Sequence, residues 1–175
     1  VNNATSLLDA DGIVLPGVGS AQATMDSLSE LNIMDTLEKR VHQDKVPFLG
    51  ICIGLQVLME HSDEGDVDCL GWIKGQVHRF DETNVRVPQI GWNQVRFTKE
   101  HPIMQGLQGE EQFFYFVNSY HVQPTEKDVV LAQTTYGHTF CSMVAQENVM
   151  AAQFHIEKSG AVGLRLLKNF VAMTT

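Results

Sequence analysis

The chain has 175 residues, 43% of them hydrophobic and 19% charged, a balance that suits one compact domain and excludes a disordered or fibrous polypeptide. Its 12 Lys+Arg stand against 21 Asp+Glu, a formal net charge of −9, which argues against a nucleic-acid or anionic-membrane surface. No apolar run approaches the roughly 20 residues that span a bilayer, and the opening VNNATSLLDADG lacks the basic-then-apolar pattern of a secretory signal, so the cytoplasm is the expected location.

In chain order, GIVL (12–15) is a short apolar run stopped by Pro16 and Gly17, which predicts a buried strand entering a turn. From Ala21 to about His42, Met25, Leu28, Leu31, Met34, Leu37 and Val41 recur every three or four residues, the spacing of an amphipathic helix that Asn32 would divide. VPFLGI (46–51) predicts a second buried strand, and Leu55, Val57, Leu58 and Met59 predict a helix after it. Beyond Gly65 the runs shorten: 75–80, 90–97, 113–117, 129–134, 139–145 and 149–154 read as strands. Gln146-Glu147-Asn148 has hairpin-loop length, with Asn148 the residue best suited to a left-handed turn. A closing helix from Ser159 to about Met173 carries Val162, Leu166 and Phe170 on one stripe. The expected fold is therefore a single α/β domain: a mainly parallel central sheet flanked by helices, with an antiparallel element inserted late.

Chemistry concentrates at Gly50-Ile51-Cys52-Ile53-Gly54, a G-x-C-x-G pattern between an apolar strand and a helix. A nucleophile elbow needs small residues two positions either side, because strand and helix backbones close on one another around the strained residue. In this composition chance places glycines on both sides of one of the three cysteines at roughly 0.02 per chain. The turn sets Cys52 at a helix N-terminus, where free N–H groups favour thiolate. Cys69 and Cys141 are remote from it and from each other; three cysteines without a C-x-x-C pair fit neither a disulfide framework nor a zinc site, and no metal or cofactor is expected.

A thiolate expelling an amine needs an acid and base. Of seven histidines, His155 stands apart, since it ends the apolar run VMAAQF and is followed by Glu157, which can accept its other ring N–H and fix the tautomer. Pro16-Gly17-Val18-Gly19-Ser20 could turn backbone N–H groups toward an oxyanion, or could simply end the strand; the absence of G-K-[ST] argues against a phosphate cradle.

With these residues in place, the chain resembles the class I (triad) glutamine amidotransferases, marked by a Cys elbow followed much later by His-x-Glu. Within them LPGVGSAQATM (15–25), GICIGLQVLME (50–60), VPQIGWNQV (87–95), FFYFVNSYHV (113–122) and QFHIEKSG (153–160) are most similar to the glutaminase subunits of imidazole glycerol phosphate synthases. The resemblance implies that Cys52, His155 and Glu157 form the triad, that Gly17, Val18, Gly19 and Ile53 build the oxyanion hole, and that Gln56, Glu64, Ser119 and Tyr120 clasp L-glutamine, with Glu64 on its α-ammonium. It also implies a (β/α)8-barrel cyclase as heterodimeric partner, since ammonia must travel closed off from water, and a docking face is expected at Trp92, Asn93, Lys158 and the aromatic run Phe113 to Phe116. Two positions depart from the family pattern: His155-Ile156-Glu157 stands for His-Pro-Glu, and Asn118 for a frequent His. The family opens with a further strand before the PGVG loop, so the domain spanning 1–175 is expected to be N-terminally incomplete by one βα unit. The alternatives are a glutaminase of another synthase, a free-standing γ-glutamyl hydrolase, or a silent regulatory subunit, the last disfavoured by the intact Cys52, His155 and Glu157.

Overall fold

A computed structural model describes residues 4–107 and 111–174. After a short helix α1 (Ala4–Leu8), strand β1 (Ile13–Leu15) leads through the PGVG loop into α2 (Ala21–Glu30). Ser20 caps α2 by accepting from Ala23 N at 3.2 Å, which satisfies one of the free donors of the first turn. Asn32 divides the long amphipathic stretch as expected, with φ at 51°, and the second piece runs as α3 (Met34–Glu38) into a π-helical turn at Lys39–Gln43. Strand β2 (Phe48–Ile51) then reaches Cys52, and α4 (Ile53–Gln56) follows it at once. The helix expected through Met59 is only these four residues long, because the chain must swing back to the sheet: Glu60 N donates to Gly75 O at 3.0 Å.

The rest is strand-rich. β3 (His61–Ser62), β4 (Val67–Asp68) and β5 (Gly75–Arg79) precede the long β6 (Gln89–Phe97), β7 (Gln112–Asn118) and β8 (Tyr120–Pro124); β9 (Val130–Tyr136), β10 (His138–Gln146) and β11 (Val149–Ala152) lead to the closing helix α5 (Gly160–Ala172). One path through the sheet runs β1-β2-β11-β10-β8-β5-β3-β4, and a branch from β10 continues through β9 and β6 to β7. The α/β class stands, but the sheet is mixed rather than mainly parallel. Its parallel contacts are β1–β2, β2–β11 and β3–β5, and the other pairs are antiparallel. Apolar runs had signalled burial, and burial on both faces looks alike in a parallel strand and in an antiparallel one covered by helices.

Burial on both faces is visible in β11, whose Val149 and Ala151 pack with Phe48, Leu55, Leu58 and the α1–α3 side, while Met150 and Ala152 pack with Phe114, Phe154 and Leu166 and Phe170 of α5. The β10–β11 hairpin closes with Gln146 opposite Val149, so only Glu147 and Asn148 form the loop. The left-handed residue there is Glu147 (φ 53°), not Asn148. Asn148 instead spends its amide on Val41 O and Val46 O, at 2.9 and 2.7 Å, tying the hairpin to the segment before β2. β1 is likewise less enclosed than expected, with Val14 43% exposed.

Candidate active site

β2 delivers Cys52 into a backbone that side chains rarely adopt, φ 55° and ψ −105°, between strand and helix. The flanking glycines are required by contact, not by habit. A Cβ on Gly54 would lie 2.1 Å from Leu15 O, and one on Gly50 would lie 2.5 Å from Gly54 O, both against backbone that cannot rotate away. Gly17 is crowded by a side chain instead: a Cβ there would lie 2.4 Å from Ile53 Cγ2, so the PGVG loop rests on the first residue of α4.

Parallel pairing of β2 with β11 sets Ile51 beside Ala152, and Cys52 N donates to Ala152 O at 2.8 Å. The residues just beyond each strand end therefore converge. His155 is 2% exposed, and its Nδ1 lies 2.8 Å from Glu157 Oε1, which holds the ring with Nε2 turned inward. That Nε2 is buried and has no hydrogen-bond partner among the described residues, so it is left for a reacting group. Catalytic hydrogen bonds of this kind often close only when substrate arrives.

Cys52 and His155 line one cleft of about 280 Å³ together with Val18, Gly19, Ile53, Gln56, Glu64, Ser119, Tyr120 and Lys158. The expected substrate-clasping residues are thus brought together. Glu64 is further constrained: its Oε2 accepts from Ala21 N at 3.0 Å, anchoring the carboxylate at the start of α2 beside the PGVG loop. Val18 is 80% exposed at the mouth of the cleft. Lys158, expected on the docking face, stands at this cleft as well. Trp92 and Asn93 do not line it; they lie on β6, where Asn93 Nδ2 donates to Thr135 O at 3.0 Å.

The aromatic run divides by strand alternation. Phe114 and Phe116 are fully buried core, and Phe113 is 55% exposed on the face of the strand pair that also carries Ile90 and Trp92. Only alternate members of Phe113 to Phe116 can therefore belong to a docking face.

Electrostatics at Cys52 differ from the expected thiolate. Burial pushes the Cys52 thiol up to about 11, against lowering by the Ile53 backbone N–H and by Gln153. A four-residue helix offers too little dipole to outweigh desolvation. Cys69 and Cys141 are pushed up to about 11 and about 12, again by burial first. No group of three His, Cys, Asp or Glu side chains among the described residues could hold a metal ion.

Two participants escaped the sequence reading. Gln153, fully buried, donates from Nε2 to Cys52 Sγ at 3.6 Å. Its signal was a lone amide within the otherwise apolar run VMAAQF, a position that needs a polar partner. Ser159 joins the two sides of the site: its Oγ donates to His155 O at 2.6 Å and accepts from Tyr115 N at 3.0 Å, while His155 N donates to Tyr115 O at 2.8 Å. Nothing in local sequence marks it, because β7 and the His155 segment meet only in three dimensions.

Comparison with known proteins adds three kinds of likeness. The family model described as glutamine amidotransferase class-I matches residues 1–173. The imidazole glycerol phosphate synthase subunit HisH of Methanocaldococcus jannaschii is 44% identical over 173 residues, covering 98% of this chain and 85% of the relative. The subunit of that name from Aquifex aeolicus is 48% identical over 163 residues, 93% of this chain and 77% of the relative. Among solved structures, a glutamine amidotransferase superposes with a TM-score of 0.74 at 21% identity, over 99% of this chain and 84% of the other. The glutaminase domain of Trypanosoma brucei CTPS, solved with acivicin bound, gives 0.63 at 15%, over 97% and 74%. These last two likenesses speak for the fold alone.

Proposed function

The chain belongs to the class-I glutamine amidotransferases and, within them, to the HisH subunits of imidazole glycerol phosphate synthase, and on that premise we propose that Cys52, His155 and Glu157 hydrolyse L-glutamine and hand its ammonia to a (β/α)8-barrel cyclase in histidine biosynthesis. In this reading Glu64 takes the α-ammonium of glutamine, and Gln56, Ser119 and Tyr120 face its polar backbone groups. Burial favours the protonated thiol of Cys52 at rest. As Sγ attacks the carboxamide carbon, its proton passes to His155 Nε2, and the C–N bond breaks when that proton reaches the departing nitrogen. Ammonia and a γ-glutamyl thioester result. His155 then takes a proton from water as the water attacks the thioester carbon, releasing glutamate and restoring the thiol. Glu157 keeps Nδ1 as the donor throughout and offsets the charge of the imidazolium. Backbone N–H groups of Val18 and Ile53 hold the oxyanion in both steps, with Gly17 and Gly19 giving the loop its freedom.

The observation that carries this reading is the pair formed by a cysteine in a strained turn and a buried imidazole with an unpartnered nitrogen, both residues lining the same cleft. Ammonium is not a nucleophile, so the product must leave through a closed route. The outward Ile90, Trp92 and Phe113 on the β6–β7 hairpin, 64%, 55% and 55% exposed, supply an apolar surface for the partner to cover. Glutamine hydrolysis measured with and without a barrel cyclase and its ligand tests the assignment. Stimulation by the cyclase is expected; equal hydrolysis without it would instead fit a free-standing hydrolase.

A further inference from the structure

Beyond the triad, the floor of the cleft contains a chain of amides with one direction. Gln56 Nε2 lies 3.3 Å from Tyr120 O and 3.1 Å from Gln153 Oε1; Gln153 Nε2 lies 3.6 Å from Cys52 Sγ. A backbone carbonyl can only accept, so the atom of Gln56 facing Tyr120 O must be its NH2 group. The second hydrogen of that NH2 then requires an acceptor on Gln153, which fixes Gln153 Oε1 toward Gln56. What remains to face sulfur is the Gln153 NH2. The orientation is imposed by the far end of the chain and is not free to flip. Gln153 and Gln56 are 0% and 4% exposed, so neither amide can exchange its partner for bulk water.

From this network we infer that Gln153 is a further catalytic residue, an obligate neutral N–H donor to Cys52 Sγ whose polarity is set through Gln56 by the Tyr120 carbonyl, and which stabilises sulfur whenever it is anionic. The inference rests on Cys52 being the nucleophile. Sulfur is anionic at two moments: as the thiol gives up its proton on attack, and as thiolate leaves the second tetrahedral intermediate. At rest the S–H can turn to Val117 O, 3.9 Å away, so the thiol has an acceptor and the thiolate a donor. A neutral donor suits a buried site better than a cation, since an ammonium or guanidinium would itself have to be desolvated and would hold the sulfur ionised between turnovers. The same amides place a substrate contact, Gln56, one hydrogen bond from the residue that touches sulfur.

The test compares wild-type subunit, Gln153→Met and Gln153→Glu. Methionine keeps the volume and removes the donor; glutamate still accepts from Gln56 but presents no N–H to sulfur at neutral pH. Alkylation of Cys52 by iodoacetamide is followed from pH 7 to 10, and glutamine turnover is followed in the complex with the cyclase. Both variants are expected to alkylate about tenfold more slowly at each pH, the effect of about one unit in thiol acidity, and to lose about tenfold in kcat with KM changed less than about twofold. Unchanged alkylation and kcat in folded variants would overturn the inference. Should the variants not fold, wild-type protein still decides: the side-chain NH2 resonances of Gln153 should move with the ionisation of Cys52 and lose that movement in Cys52→Ala, and resonances indifferent to it would overturn the proposal. A distinct failure concerns the reading beneath. If alkylating Cys52 leaves wild-type hydrolysis intact, the nucleophile is wrong, whatever Gln153 does.

Discussion

Around Cys52 the shape of the site is set by backbone lying against backbone, whereas on the β6–β7 hairpin it is set by side chains facing outward. At the elbow Gly50 and Gly54 leave no volume for a single added carbon. On the hairpin Ile90, Trp92 and Phe113 stand well exposed over a strand pair that would keep its register whatever they were. The difference separates two kinds of functional residue. Gly50 and Gly54 cannot be changed without changing the fold, whereas Ile90, Trp92 and Phe113 can be changed freely, and under the proposed function the cost then falls on association.

Gly54→Ala should break the first region outright. With Leu15 O 2.1 Å from the new Cβ, β1 and α4 must separate, and we expect a loss of about 4 kcal/mol in a denaturant titration together with loss of glutamine hydrolysis. Glu157→Gln sharpens the same region without moving its backbone. An amide facing Nδ1 can present either oxygen or nitrogen, so the tautomer is no longer enforced, and kcat should fall by roughly 10²-fold with the melting temperature little altered. Trp92→Ala addresses the second region: the Kd of the complex, measured by calorimetry, should weaken by roughly 10- to 100-fold, while the fold is retained.

The smallest expected effect lies outside both regions. His121, on β8 beside Phe80, His138 and Phe140, is held down to about 4 by burial, then by the neighbouring His138. An unfolded chain takes up that proton near the ordinary histidine value, and the folded one only near 4. Stability should therefore decline as the pH falls from about 6.5 toward 4. Folding measured against pH for His121→Phe should show a shallower decline over that window.

The same contrast explains what could be read in advance. Elbow, His155 and Glu157 were legible because their demands are local: glycines at fixed offsets, a histidine at the end of an apolar run, a carboxylate two residues on. The antiparallel extent of the sheet was not, because β8 and the β10 branch depend on which buried faces meet, and apolar runs report burial without direction. Of the residues expected on a docking face, Trp92 is exposed, yet Phe114 and Phe116 went to the core, since four consecutive aromatics conceal the alternation that separates them. Gln153 and Ser159 were missed for a related reason. Their partners, Cys52 Sγ and Tyr115 N, are 101 and 44 residues away in sequence. The acidity of Cys52 was misjudged because the pattern announces a helix N-terminus but not how short the helix is or how deeply the sulfur is enclosed.

The proposed function puts glutamine chemistry at Cys52 and ammonia consumption in the partner. Synthesis by the assembled complex of Cys52→Ala with the cyclase, measured once with glutamine and once with an ammonium salt, tests it most directly. Loss of the glutamine-dependent rate by roughly 10⁴-fold with the ammonium-dependent rate intact is the predicted result. Glutamine-dependent synthesis that survives the substitution would contradict the account.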